Sequence, residues 1–524
     1  MPTHPEGVPS RAAADAARFP GVPGTVIAHL PASGGRYVGS PGLAILPNGD
    51  YVASHDEFGP KSTEHTRAVS HVYRSRDRGR TWARVATIQG AFWSTLFVHR
   101  GALYLLGTDR HHGNVVIRRS DDGGVSWTEP RDARTGLLRG GGEYHCAPMP
   151  VLEHDGRLWR AFEWRNPPTG WGIHYRAGML SAPADADLLR ADSWTATNFL
   201  PSDRGWNNGD MGAWLEGNAV VAPDGSLVDV LRVQTRSPDE KAAIVRIGAD
   251  GRTATFDPAT GFVPFPGGGK KFAIRFDPKT RLYWSLATVV PERHRAQNPG
   301  SIRNTLALVC SPDLKQWETR TVLLYHPDTA RHGFQYVEWL FDAEDIVAAC
   351  RTAHDDGLGG ARNNHDANFL TFHRFADFRR LTAKDSAPMP AEPPETRVET
   401  EDLVITGGGF EVATLRDGEK AFSNRAYVWR GVPASLTGAN ARFTRLGGGD
   451  TARLRVRAKR PTTLRLATAL SQRDIDLAGW TRTDATFSYT DRGNTVMTVH
   501  ARPLKAGETT DIPQGNWTGG VLLL

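Results

Sequence analysis

Six of the chain's eighteen histidines stand in short polar clusters with arginine, lysine, tyrosine and carboxylates. They occur in His55-Asp56, Arg110-His111-His112, Tyr144-His145, Arg351 with His354, and Asn364-His365-Asp366. Trp164-Arg165, Glu216-Gly-Asn218, Arg232, Lys270-Lys271 and Gln335-Tyr336 have the same character. Few of these residues have hydrophobic neighbours that would explain them as core. Guanidinium and ammonium groups neutralise a carboxylate, arginine through a bidentate fork. An imidazole works as general base near neutral pH, with a tyrosine or a second imidazole as acid. Such a mixture suits an acidic sugar. The expected acid–base residues are His55, His112, Tyr144 and His145. The expected substrate contacts are His111, Arg110, Arg165, Glu216, Arg232, Lys271, Arg351, His365 and Asp366.

These positions span more than three hundred residues, so a repeated architecture must gather them. Six hairpin patterns recur: GLAILPNGDYVASH from Gly42, STLFVHRGALYLLG from Ser94, APMPVLEHDGRLWRAF from Ala147, GNAVVAPDGSLVDVLR from Gly217, KFAIRFDPKTRLYWSL from Lys271 and QYVEWLFDAEDIVAACR from Gln335. Each pairs two apolar strands across a turn carrying Asn-Gly, Asp-Gly or a similar pair. A third strand follows each hairpin, as in SHVYR, NVVIRR or NFLTFHR. The early strand GTVIAHL is expected to complete the last sheet and close a ring. In four-stranded blades of alternating direction, the hairpin turns face one side of the ring. The ends of second strands and the approaches to first strands face the other, and the clusters above fall there.

Two turns match closely: Ser75-Arg-Asp77-Arg-Gly79-Arg-Thr81-Trp82 and Ser120-Asp-Asp122-Gly-Gly124-Val-Ser126-Trp127. Ser311-Pro-Asp313-Leu-Lys-Gln-Trp317 is a shorter copy without the glycine. The carboxylate accepts backbone N–H groups, the glycine takes an angle other residues resist, and the tryptophan packs beneath. This pattern resembles the Asp box of sialidase-like, or BNR-repeat, propellers. The resemblance implies an all-β fold: a six-bladed, possibly seven-bladed, β-propeller followed by a small β-sandwich. The expected limits are an N-terminal extension over 1–19, the propeller over 20–384, a Pro-rich linker over 385–395 and the sandwich over 396–524.

Sialidases carry an arginine in a Phe-Arg-Ile-Pro-like motif, an arginine triad for the substrate carboxylate, a Tyr–Glu nucleophile pair and an acidic aspartate. The corresponding stretch, Tyr37-Val-Gly-Ser-Pro-Gly, has no arginine, although Arg232 and Arg351 suit triad roles. The site composition is similar instead to propeller enzymes of uronic-acid glycans, namely ulvan lyases and enzymes that remove rhamnose capping a glucuronate. That resemblance implies a polysaccharide lyase working by β-elimination, with Arg165 or Arg351 on the uronate. One alternative is an exo-glycoside hydrolase, rhamnosidase- or sialidase-like, for which the carboxylates at hand are Asp56, Glu216 and Asp366. Another is a non-catalytic sugar-binding propeller. A lectin would repeat its aromatic platforms in every blade, whereas here the residues differ from blade to blade, which favours one asymmetric active site.

Composition sets the outer bounds. The 524 residues carry 63 basic and 57 acidic groups, a net charge of +6 spread along the chain. No basic arm or amphipathic basic helix marks a nucleic-acid or membrane partner, and the partner that the resemblance implies is an oligosaccharide or polysaccharide. Three cysteines without CxxC or Cys/His spacing give no zinc motif and are expected as buried thiols. No cofactor is expected and no residue is assigned to a metal, with a structural divalent cation left open. The first twenty-one residues, MPTHPEGVPSRAAADAARFPG, lack a signal peptide's apolar stretch. The expected location is cytoplasmic as written, or extracellular if a leader belongs in front.

Overall fold

The computed structural model describes residues 19–235, 237–295, 297–389, 396–408, 410–422, 426–437, 441–445, 453–469, 475–491, 493–513 and 520–523. The chain forms two compact units, one running to Pro291 and resuming over Pro299–Met389, the other comprising Glu292–Asn298 and Pro390–Leu524. The first unit therefore extends past the expected boundary at 384. A capped turn at Ala383–Asp385 and the bond from Ala387 N–H to the Val322 carbonyl hold that stretch on the fifth sheet. Residues 390–395 of the expected linker lie outside the described residues.

Among the described residues the first unit contains six antiparallel sheets, taken here as blades 1 to 6. Their second strands, Tyr51–Phe58, Ala102–Thr108, Arg157–Arg165, Leu227–Gln234, Leu282–Thr288 and Asp345–Ala353, are buried over most of their length. These runs are buried on both faces because each sheet is covered on both sides by its neighbours. One apolar cluster fills each gap. Leu96 and Leu103 meet Val52 and Val72 between blades 1 and 2, and Ile117 and Leu106 meet Phe162 and Leu180 between blades 2 and 3. Trp159 and Met179 face Trp214 and Val245 in the next gap, Val230 and Ala242 face Ile274 and Val309 after it, and Trp284 and Leu308 face Trp339 and Ile346 in the fifth. Tyr51 and Ala53 meet Val347 and Leu370 in the gap that joins the last blade to the first. The Thr25–His29 strand pairs with Phe369–Phe375 as the outer strand of blade 6, so the first residues of the unit fasten its last sheet. The first unit is a closed β-propeller.

The repeated turns join third to fourth strands. In the first, Asp77 accepts the Thr81 N–H and hydroxyl, the Ser75 hydroxyl takes the Gly79 N–H, and the Trp82 indole donates to the Gly79 carbonyl. Asp122, Ser126, Gly124 and Trp127 repeat this set in blade 2. In the shortened copy Asp313 accepts Lys315 and Gln316 N–H, and Trp317 donates to the Leu314 carbonyl. Leu314 occupies the glycine's place with φ 67°. Its side chain stays buried between blades 4 and 5, where packing offsets the backbone strain.

The second unit is a pair of antiparallel sheets, one of four and one of seven strands. Leu403, Ile405, Leu454 and Val456 of the smaller sheet pack on Leu464, Leu466, Leu504 and Leu522 of the larger, a β-sandwich core. The three cysteines, all in the first unit, are free and buried.

Candidate functional site

Three blades bend their innermost strand in the same way. Trp93-Ser94, Glu216-Gly217 and Tyr336-Val337 are each two residues opposed by one on the second strand, between the pairs Phe92–Thr108 and Thr95–Leu106, Leu215–Arg232 and Asn218–Val230, and Gln335–Arg351 and Glu338–Ala349. The first residue of each bulge has a positive φ, 50°, 59° and 53°. A non-glycine residue there carries strain on the order of 1 kcal/mol and is kept where its side chain must be aimed. Trp93, Glu216 and Tyr336 are thus turned out of the pleat by blades 2, 4 and 6.

Two of them meet. The Tyr336 hydroxyl donates to Glu216 Oε1 at 2.8 Å, and Arg232 Nη1 donates to Glu216 Oε2 at 2.9 Å. Glu216 is buried, which favours its neutral form, yet Arg232 and then His145 outweigh that cost and hold its pKa below the usual value. Tyr336 is half-buried and its pKa is pushed up to about 12 by burial and by the Glu216 charge. Two more arginines face the same phenol. Arg351 lies 4.5 Å above the Phe58 ring and 4.9 Å above the Tyr336 ring. Arg303 acts electrostatically on Tyr336 and donates to Gln335 Oε1 at 2.6 Å. A carboxyl, a phenol and three guanidinium groups therefore share one spot.

The His365 loop supports the clamp. Arg351 donates through Nε and Nη2 to the His365 carbonyl at 3.1 and 2.5 Å, and Gln335 Nε2 donates to the Asn364 and His365 carbonyls at 2.6 and 3.1 Å. His365 also contacts Asp366 Oδ1 at 2.9 Å. Burial and the Arg351 charge push its pKa down to about 3, so its imidazole is neutral near pH 7. On the side of blade 1, Glu64 is raised to about 6 by burial, with the Arg351 charge opposing and the Asp366 charge assisting.

A second cluster forms between blades 2 and 3. His112 contacts the Tyr175 hydroxyl through Nε2 and Arg165 through Nδ1, both at 2.6 Å. His145 stacks on Tyr175, meets the edge of Trp93, and bonds Glu163 Oε2 at 2.6 Å through Nδ1. Glu163 Oε1 accepts the Gly217 N–H and so joins this cluster to the Glu216 bulge. Exposed Trp171 overhangs His145 and the Arg232 guanidinium. Burial, with His111 and His145 nearby, drives the His112 pKa down to about 2. His111, partly exposed, packs at a tilt against Trp93, ring centroids 4.7 Å apart.

The expected residues therefore separate. His112, His145, Arg165, Glu216, Arg232, Arg351, His365 and Asp366 come together, with His111 at their edge. Arg110 remains beside its neighbour Asp109 at 3.2 Å. Lys271 turns inward and is buried on Glu338 and the Val337 carbonyl, supporting the Tyr336 bulge from behind. Tyr144 belongs to the core between blades 2 and 3, its hydroxyl accepting from Arg139. His55 is enclosed within blade 1, against Tyr73 and the Asp56 carbonyl, and burial lowers its pKa to about 4. Tyr144 and His55 were expected as acid–base residues; the structure commits the Tyr144 hydroxyl to Arg139 and the His55 ring to Tyr73 and the Asp56 carbonyl. Asp56 is buried too, accepting Ser40 and Trp93 N–H groups at 2.6 Å.

Residues not expected from sequence are Trp93, Glu163, Tyr175, Arg303 and Glu64, and Tyr336 was seen only as a strand approach. Tyr175 and Arg303 stand at or just before third strands, on the same face of the ring as the clusters, so the strand-direction rule applied to third strands finds them. Nothing in local sequence marks Trp93 or Glu163.

No protein-family model matches the chain, and no curated protein matches it. Among solved structures it is similar to the Penicillium chrysogenum α-L-arabinanase complexed with arabinobiose, at 14% identity and TM-score 0.43, over 68% of this chain and 98% of that one. The Hadza microbial sialidase Hz136 gives 14% identity and TM-score 0.46, over 66% of each chain. An ulvan lyase of family PL25 gives 12% identity and TM-score 0.38, over 65% of this chain and 79% of that one.

Proposed function

We propose that the chain cleaves glycosidic bonds in acidic, carboxylate-bearing glycans, by hydrolysis through Tyr336. The observation that carries this reading is the Tyr336–Glu216–Arg232 chain of hydrogen bonds, with Arg303 and Arg351 beside it. The guanidinium groups hold the sugar carboxylate. Glu216 takes the phenolic proton as the Tyr336 oxygen bonds to the anomeric carbon, and the bond to the leaving oxygen breaks. Glu64, raised to about 6, supplies the proton to that oxygen. Water then attacks the anomeric carbon, giving its proton to Glu64, and the glycosyl–tyrosine bond breaks as Glu216 returns its proton to the Tyr336 oxygen. A phenol serves this substrate better than a carboxylate nucleophile, because a second anion beside the sugar's own carboxylate would be repelled.

A second reading, β-elimination, is supported by the other cluster. There the neutral His112 contacts Tyr175 and Arg165, an imidazole and a phenol next to a cation. Tyr175 is fully buried and Tyr336 is not, which favours the first reading.

The test is incubation with a panel of glycans and aryl glycosides carrying uronic or nonulosonic acids. Free reducing sugar without ultraviolet absorbance from an unsaturated uronate supports hydrolysis. Growth of that absorbance establishes elimination and overturns the Tyr336 mechanism. Turnover of neutral glycosides alone would overturn the acidic-substrate reading.

A further inference from the structure

Blade 6 gathers three histidines that the site above does not use. His326 and His332 lie at the ends of the segment before the Gly333–Asp342 strand, and His354 follows the Asp345–Ala353 strand. One ring nitrogen of each lies within 4.8 Å of the others. The His326 and His332 rings stack with centroids 3.4 Å apart, and His354 stands edge-on to both, 5.6 and 4.8 Å away.

Their lone pairs are unequally spent. His332 Nδ1 lies 3.0 Å from Asp328 Oδ2, which fixes the proton on that nitrogen and leaves the lone pair on Nε2. That Nε2 is buried without a hydrogen-bond partner, the Asp355 carboxylate being 3.5 Å away. His354 Nδ1 is likewise buried without a hydrogen-bond partner. His326 Nδ1 accepts the Asp328 N–H at 3.1 Å, a contact it must release to bind anything else. Buried ring nitrogens left unpaired are uncommon and call for a ligand.

We propose that His326, His332 and His354 bind one divalent transition-metal ion of the zinc class, with Asp355 as a fourth ligand and Asp328 orienting His332. Imidazole nitrogen selects such ions over calcium or magnesium, which take oxygen ligands. Zinc–nitrogen bonds of about 2.0–2.1 Å draw the three nitrogens closer than they now lie, a contraction within reach of side-chain rotation. The ion ties the 326–332 segment to the loop after His354. These are already stitched by Asn364 N–H to the Ala330 carbonyl and by Arg331 to the Ala361 carbonyl. That loop carries His365, whose carbonyl receives Arg351. The metal's role is to position, and it holds whichever bond-cleavage chemistry the enzyme performs.

The experiment uses full-length protein without a histidine tag, stripped with chelator and titrated with Zn²⁺ against a competing chromogenic chelator. One equivalent is expected, with a rise in melting temperature on binding. His354→Ala and His326→Ala are each expected to lose that equivalent, with metal-free melting temperatures close to the metal-free parent. Independently of folding in any variant, Co²⁺ added to the parent protein should give the intense visible bands of a tetrahedral, nitrogen-rich site. Absence of a stoichiometric equivalent, full retention of binding in both variants, or a weak octahedral Co²⁺ spectrum would each overturn the proposal.

Discussion

The phenol of Tyr336 is the group on which the proposed chemistry turns, and its surroundings define the expected effects. Tyr336→Phe removes one oxygen and keeps the ring under Arg351, so turnover should fall by about 10²–10⁴-fold with little change in melting temperature. A variant that retains parental turnover of the acidic substrate would remove Tyr336 from the mechanism. Glu64 gives the pH dependence. Its pKa is raised to about 6, chiefly by burial, and the acid must be protonated to act. The rate should therefore decline as pH rises through about 6, and in Glu64→Gln this limb should vanish from the kcat/KM profile. Glu216 and Arg232 form a buried pair, so Glu216→Ala strands a guanidinium and should cost about 3–5 kcal/mol, measured by denaturant unfolding. Glu216, Arg232 and Tyr336 were visible in the sequence within polar clusters, but their pairing was not, and Glu64 was not marked at all. Glu216 and Tyr336 are 120 residues apart, and only closure of the ring brings them to 2.8 Å.

At the scale of elements, the bulges and turns determine where side chains point. Gly217 follows Glu216 in its bulge, and a Cβ there would stand 2.1 Å from Asp229 Oδ1, a buried atom of the neighbouring strand. Gly217→Ala should thus destabilise the fold by about 1–3 kcal/mol and disturb turnover as well, since the Glu216 carboxylate shifts with the strand. Gly79 tests the repeated turn in the same manner. It has φ 90°, and a Cβ would stand 2.1 Å from the Phe372 ring of blade 6. Gly79→Ala should lower the melting temperature while leaving kcat/KM unchanged, because the turn lies on the outer part of blade 1. Equal loss of stability and of turnover in the Gly79 variant would show that the turn and the site are coupled. The hairpins and turn motifs were legible because their rules are local. The bulges were not, because a two-for-one opposition exists only once the partner strand is in register.

For the whole molecule, histidines wholly or partly withdrawn from water govern response to acid. Burial is the first cause in each case, lowering His55, His326 and His373 to about 4, His111 and His365 to about 3 and His112 to about 2. Each takes up a proton on unfolding below the ordinary value of about 6.5, so the unfolded chain binds more protons and stability declines as pH falls from there. Asp56, raised to about 7 by burial, acts oppositely, since its folded form holds a proton that the unfolded chain releases above about 4. Glu64, raised to about 6, and Asp229, raised by burial, act with Asp56, and six imidazoles against these three carboxyls give a melting temperature that should fall between about pH 6.5 and 4. A flat profile across that window, followed by calorimetry, would contradict the neutral, buried state assigned to these rings.

The sequence by itself determined the all-β class, the strand directions within each blade and the face on which polar residues collect. Those follow from alternation, turn chemistry and the closing strand Thr25–His29, all local or strictly repeated signals. It also marked the arginine and histidine clusters, because polar residues at strand ends lack an apolar explanation. Tertiary structure alone decided which cluster members share a site. His55, Tyr144 and Lys271 have the same residue types as the others, yet blade packing buries them against Tyr73, Arg139 and Glu338. Position across the ring depends on the angle between blades and on backbone bulges, and neither is encoded in the neighbours of a residue along the chain. The same holds for His326, His332 and His354, whose spacing matches no linear metal motif and whose meeting depends on the connection from blade 5 to blade 6 and on a loop of blade 6.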